Sequence, residues 1–435
     1  MRVRWSGLLV ALALVTAAAC GSSGSSHPSK QSSSTSTTVS TPGGTFPAVS
    51  QPGVTPTEIR VSGLVDATDP SGPGYRSAYD GVQAYFDMVN SKGGIYGRKL
   101  VIAHRHDDQL ANDRREAEAI VDQDHPFAVL PVATVLFTGA DILAKSGIPT
   151  FGWNIQDEWT GPTNFFGEVG ALCIGGSCPD VSLPWVAQQL HKKRIGVVAY
   201  SVAQSADCTD GIKASFEKYP SAKIVFLDKS LSFGVTDFSA DVKKMLDAKV
   251  DLVTTCMDTN GVLGIAREMR QQGMQGIHYL PKGYDQAFMA KNGGFFEGSI
   301  VGAEVAPVET KPRFAALAQY VKWMGKDGFT LTENAEVGWV NADQFVTGLR
   351  AAGPNFTQQK VIDAINRETS YDADGLVGPI DWTRRHTEKR IPPCIAYLRV
   401  HASKFVPEFA PAGKPFTCFL DEPSDIASAK PTFRQ

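Results

Sequence analysis

The densest cluster of chemistry-bearing side chains in this sequence is His104, His106, Asp107 and Asp108, within the run HRHDD. Period-2 alternation puts both imidazoles on one side of a strand end, a geometry open to a metal ion or an acid–base pair. The competing reading gives the acidic residues to the N-terminus of the following helix, where negative charge is stabilising. We adopt the second and expect no metal and no cofactor. No G-x-S-x-G elbow, H-E-x-x-H pair or P-loop occurs, which removes the mechanisms those motifs support, and an enzyme is not expected. Trp153 is of another kind: it stands in a loop beside Asn154 and Gln156, pairing an apolar wall with orienting amides as small-ligand sites do.

The elements that position these residues centre on the stretch from Asp80 to Asp108. Val82, Tyr85, Phe86 and Val89 recur at i, i+3, i+4 and i+7, the stripe of a helix laid on a sheet. Gly93, Gly94 and Gly97 end that helix, because the turn must pass through positive φ. Leu100 to Ala103 is then an unbroken apolar run, a strand buried on both faces. Before it, Glu58 to Val65 reads as a strand leading into a loop of Asp, Pro, Gly and Ser up to Gly74. In open α/β sheets ligands sit over such loops, at the carboxyl ends of strands.

Four collinear segments resemble the leucine/isoleucine/valine-type solute-binding proteins of ABC importers: NSKGGIYGRKL at 90–100, GVTDFSADVKKM at 234–245, GLVGPIDW at 375–382 and AYLRVHASKFVPE at 396–408. The resemblance implies an α/β protein of two doubly wound parallel-sheet lobes joined by a multi-crossing hinge, the type I periplasmic binding protein architecture. Lobe one would comprise 57–182 and 308–377, and lobe two 183–307 and 378–421, with a tail at 422–435. The alternation of short apolar runs with helical patterns, from Phe127 to Phe151 and again from Ile195 to Leu280, agrees with parallel sheets covered by helices. Closing strands are expected around Gly378 to Trp382 and Ile395 to Val400.

The N-terminus carries an export signal: Arg2 and Arg4, an apolar stretch from Leu8 to Val15, and Ala17 to Ala19 before Cys20. It resembles a bacterial lipoprotein signal over 1–20, which implies lipidation of Cys20 and attachment to the extracytoplasmic face of the cell membrane. Ser, Thr, Gly and Pro dominate 21–56, read as a disordered tether. With 435 residues, 43% of them hydrophobic, and a net charge of −3, the chain can build two cores and shows no basic footprint for nucleic acid. Of seven cysteines, six remain if Cys20 is lipidated, an even number suited to an oxidising compartment. Sequence alone leaves about 15 pairings open. Position along the predicted elements favours Cys173 with Cys178, Cys208 with Cys256 and Cys394 with Cys418.

Carried over residue by residue, the resemblance implies a ligand site of Tyr75, Ala133, Thr134, Trp153, Asn154 and Gln156 from lobe one. Tyr200, Asp258, Lys282 and Tyr284 would face them from lobe two. Two departures matter. Amino-acid-binding members offer a small hydroxyl residue where this chain has Ala133, and an acidic residue where it has Lys282. Lys282 cannot hold an ammonium group, so a small ligand bearing a carboxylate or other acceptor is expected, with a flat or apolar part against Trp153 and Tyr75; Asp258 keeps amino acids open. The partners implied are a membrane permease with its ATPase, and the alternative is a ligand sensor without transport.

Overall fold

The protein is described by a computed structural model covering residues 38–41, 44–68, 75–170, 179–281, 283–388 and 393–435. Strands β1 (Thr38–Thr41) and β2 (Gly44–Pro47) form a small antiparallel hairpin. Lobe one then runs β3 (Glu58–Val65), α1 (Ser77–Asn90), β4 (Lys99–Asp107), α2 (Asp113–Ala119), β5 (Ala128–Ala133), α3 (Ala140–Ser146), β6 (Thr150–Trp153) and β7 (Phe165–Val169). Its sheet has the order β4-β3-β5-β6-β7, all parallel. Gly93, Gly94 and Gly97 all take positive φ at the end of α1, as the turn demands.

Lobe two follows with α4 (Ser182–Gln189), β8 (Arg194–Tyr200), α5 (Ala203–Lys218), β9 (Lys223–Leu231), α6 (Ser239–Asp247), β10 (Leu252–Cys256), α7 (Thr259–Gln271), β11 (Ile277–Leu280), α8 (Gln286–Asn292) and β12 (Ile300–Ala303). The chain returns to lobe one through α9 (Ala315–Lys326), α10 (Glu333–Ala352), α11 (Gln358–Ile365) and α12 (Trp382–Arg385). It ends with β13 (Cys394–His401), β14 (Lys404–Pro407), β15 (Phe416–Cys418) and β16 (Thr432–Arg434). In the second sheet β9-β8-β10-β11-β12 is parallel; β13, β14, β15 and β16 extend it antiparallel. The parallel reading of lobe two therefore holds for its first five strands only.

The return to lobe one has a packing reason. On α10, Phe345 meets the rings of Phe86, Phe127 and Phe151 at 6.4, 6.1 and 5.6 Å, so one aromatic residue joins α1 to the strand region of the lobe. Each fully buried side chain of this size contributes roughly 1.5–3 kcal/mol. Three segments differ from the sequence reading. The stretch read as tether holds the β1–β2 hairpin, and the Arg98 guanidinium, almost fully buried, donates to the carbonyls of Pro47, Thr55 and Tyr96; backbone acceptors take the place of apolar burial there. Instead of a strand, 378–382 leads into α12. Trp382 is 1% exposed, packs on Phe166 at 5.1 Å and donates to Gln344 at 2.9 Å, so this segment belongs with lobe one. The expected tail carries β16, which pairs with β15.

Candidate functional site

Both parallel sheets have the order 2-1-3-4-5 when their strands are counted within the lobe, and such a sheet has its topological switch point between the first and third strands. In lobe one that point lies between β3 and β5, in lobe two between β8 and β10. The loops leaving these four strands meet over one cavity of about 230 Å³. Tyr75 and Val135 come from the first pair, with Trp153 and Ile155 from the end of β6; Val202 and Met257 come from the second pair. The first turn of α10 closes one side with Thr332, Glu333 and Asn334.

The walls are mainly aromatic and aliphatic. Tyr75 and Trp153 meet edge to face at 4.9 Å, and Tyr200 and Phe233 do so across the cavity at 5.0 Å. Asp258 is already engaged: its Oδ1 accepts from the Tyr200 hydroxyl at 2.7 Å and from Gly261 N at 3.0 Å, capping α7. Asp285 caps α8 through Phe288 N at 2.8 Å. Tyr284 donates to Glu309 at 2.8 Å and receives the Val308 N–H at 2.8 Å; burial above all, then Glu309 and Glu336, keeps its phenol well above the usual range.

Of the expected ligand residues, Tyr75, Trp153, Tyr200, Asp258 and Tyr284 line this cavity. Ala133, Thr134, Asn154 and Gln156 are buried but do not. Val135 and Ile155, one residue along, take their places, because a one-residue offset on extended chain turns a side chain to the opposite face. Gln156 is instead structural: its amide donates to the carbonyls of Thr134 and Val135 and accepts from Trp159. Lys282, Cys20, Cys173 and Cys178 lie outside the described residues. The other two cysteine pairings are present as disulfides, Cys208–Cys256 and Cys394–Cys418.

A family model described as periplasmic binding protein matches residues 58–404, most of the chain. The chain belongs to the periplasmic binding protein family. It is 26% identical over 210 residues to the Leu/Ile/Val-binding protein BraC3 of Rhizobium johnstonii, a match covering 45% of this chain and spanning about half, 53%, of that curated relative. Its fold resembles a fatty acid ABC transporter substrate-binding protein from Thermomonospora curvata (TM-score 0.67, 20% identity, 88% of this chain and 97% of that one). It also resembles an ABC transporter solute-binding protein from R. palustris in complex with benzoate (TM-score 0.66, 16% identity, 84% of this chain and 98% of that one).

In this periplasmic binding protein the histidine cluster is scaffolding. His106 bridges Glu116 and Asp124, 2.7 Å from each, and so ties β4 to α2 and to the turn that follows it. Asp107 accepts from Ala67 N, Thr68 N and Gln109 N and from the Thr68 hydroxyl; these bonds outweigh burial and leave its carboxyl below the usual range. The acidic pair thus shapes loops: Asp108 accepts from Leu110 N at 3.0 Å, and α2 has no side-chain cap, which corrects the helix-cap expectation. Phe233, Met257 and the start of α10 were missed as site residues. Thr332, three residues before Ala335 and capping it at 3.1 Å, was a legible helix start, but nothing in its spacing points to the cavity.

Proposed function

We propose that this protein is a lipid-anchored extracytoplasmic receptor that holds a small carboxylate-bearing solute between its lobes and delivers it to an ABC importer. The observation that carries this reading is the convergence of both switch points on one small, aromatic-walled cavity. At about 230 Å³ the cavity falls below the roughly 300–1,000 Å³ typical of drug-sized ligands, as a small solute requires. Lys282 stands between Pro281 and Gly283, both of which line the cavity, and a carboxylate is its natural partner. The engagement of Asp258 with Tyr200 and Gly261 speaks against its being reserved for a ligand ammonium.

A thermal-shift panel of leucine, isoleucine and valine against benzoate and short aliphatic carboxylates tests the ligand class. A bound solute at about 100 times its dissociation constant should stabilise the protein by about 2.7 kcal/mol. We expect the shift with carboxylates lacking an α-amino group; strong shifts confined to the branched-chain amino acids would overturn the role given to Lys282. The anchor is tested separately. Cys20→Ala is expected to move the protein from the membrane to the soluble fraction, and a variant that stays membrane-bound would remove the lipid from the proposal.

A further inference from the structure

At a seam on one side of the cavity, four glutamates gather. Glu304 and Glu309 lie on the segment leaving β12, and Glu333 and Glu336 lie in the first turns of α10. The lobe-two loop before α8 is stapled onto this seam. Glu333 N donates to the Tyr284 carbonyl at 3.0 Å, Asp285 and Thr332 form a bridge, and the Tyr284 hydroxyl reaches Glu309. Glu333 in turn accepts from Glu304 N at 3.2 Å.

Glu336 stands apart from this network. It is 0% exposed, and neither carboxyl oxygen has a hydrogen-bond partner among the described residues. Among the described residues, the titratable groups acting with it are Glu333 on its own helix, Glu309 from the crossing segment, Tyr284 from lobe two and Tyr320 from α9, and none of these is a cation. Among the described residues the one group of three acidic, histidine or cysteine ligand atoms within 4.8 Å of one another is Asp66, Asp107 and Asp108, and Glu336 is not part of it. Burying an unpaired carboxylate costs several kcal/mol, whereas its protonated form avoids most of that cost. Burial first, then repulsion from Glu333 and Glu309, holds this carboxyl well above its usual range.

We propose that closing the lobes over a solute takes up one proton from solvent at Glu336, so that binding weakens as the medium becomes alkaline. The inference rests on the reading of the cleft as the solute site. Parting the Tyr284 staple admits water to Glu336, which then ionises as an ordinary carboxyl group; docking the staple again requires the neutral form. The closed-state pKa lies above the open-state one. Affinity is therefore complete below the open-state pKa and is lost as pH rises through the closed-state pKa, by at most about tenfold per pH unit for one proton.

The test compares wild type with Glu336→Gln, a neutral variant of nearly the same shape, between about pH 5 and pH 9. Small-angle scattering of the ligand-free full chain should show a radius of gyration that rises on the alkaline side in wild type and stays at its acid value in E336Q. Titrations with valine and with benzoate, in buffers of different ionisation heat, should show proton uptake for whichever binds, absent in E336Q. If E336Q does not fold, Glu336→Leu replaces it with the same expectation. Identical pH responses of wild type and variant, or binding without proton uptake, would overturn the proposal. If neither solute binds, the scattering comparison still decides it, and the loss falls on the proposed ligand class alone.

Discussion

Replacing Gly338 by alanine is expected to destabilise the protein by about 3 kcal/mol, at the upper end of what overpacking a core usually costs. A Cβ at this position would lie 1.9 Å from the carbonyl oxygen of Ala78, and one at Gly81 would lie 1.7 Å from that of Ala335. The two glycines thus let α1 and α10 touch backbone to backbone, each helix offering a gap to the other. No rotamer can relieve a clash with a carbonyl, so the helices must separate. The helix-propensity gain of alanine over glycine, about 1 kcal/mol, only partly offsets this. Gly325 on α9 supplies the control: nothing lies within 4 Å of its would-be Cβ. Gly325→Ala should therefore be neutral or stabilising by up to about 1 kcal/mol in the same urea titration. Because α10 begins with Thr332, Glu333 and Asn334 at the cavity, Gly338→Ala should also weaken solute binding. Equal stability of the two variants would mean that the close approach does not exist.

These glycines show where a sequence stops being legible. Gly81 sits in the middle of the clearest helical pattern of the chain, where it reads only as a weak residue; its purpose lies on a helix some 250 residues away in sequence, as roughly judged from Ala335. Periodicity is local information, and it recovered β3, β11 and the run of α1 because their burial follows from their own neighbours. The site was legible to the extent that it hangs on strand ends: Tyr75 and Tyr200 follow from the strand-end rule together with the resemblance, and Trp153 from the resemblance and its amide neighbours. The facing of a side chain just beyond a strand end does not. Whether Thr134 or Val135, Asn154 or Ile155 reaches the cavity is decided by single-residue offsets where β5 and β6 end, and the register shifts along both strands leave no pattern from which to extrapolate. Glu336 was invisible for a different reason. A glutamate in the first turns of a helix looks like a favourable partner for the helix dipole, and only the tertiary fold, which leaves it 0% exposed, turns it into a buried acid.

Removing the Cys208–Cys256 disulfide should lower both stability and solute affinity, whereas removing Cys394–Cys418 should lower stability alone. The first bond joins α5 to the last residue of β10 with Cα atoms 6.0 Å apart and a sequence separation of 48. In the chain-entropy account a loop of that length stabilises by about 4 kcal/mol, against roughly 3.5 kcal/mol for the 24-residue separation of the second bond. The difference between them is therefore not mainly in stability. Cys208 and Cys256 both line the cavity, and Gln204 and Ser205 on the preceding turn of α5 line it as well. Their bond fixes the edge of the lobe-two switch point. Cys394 and Cys418 face each other across β13 and β15, and neither lines the cavity. Paired Cys→Ala variants avoid stray thiols, and thermal unfolding with and without the best solute of the panel separates the two effects. The expected result is a comparable loss of melting temperature in both, with the ligand-induced shift reduced only in the Cys208→Ala/Cys256→Ala protein. Retention of the full shift there would show that the cavity wall holds its shape without the bond, and that packing on β8, β9 and β10 is enough to position α5.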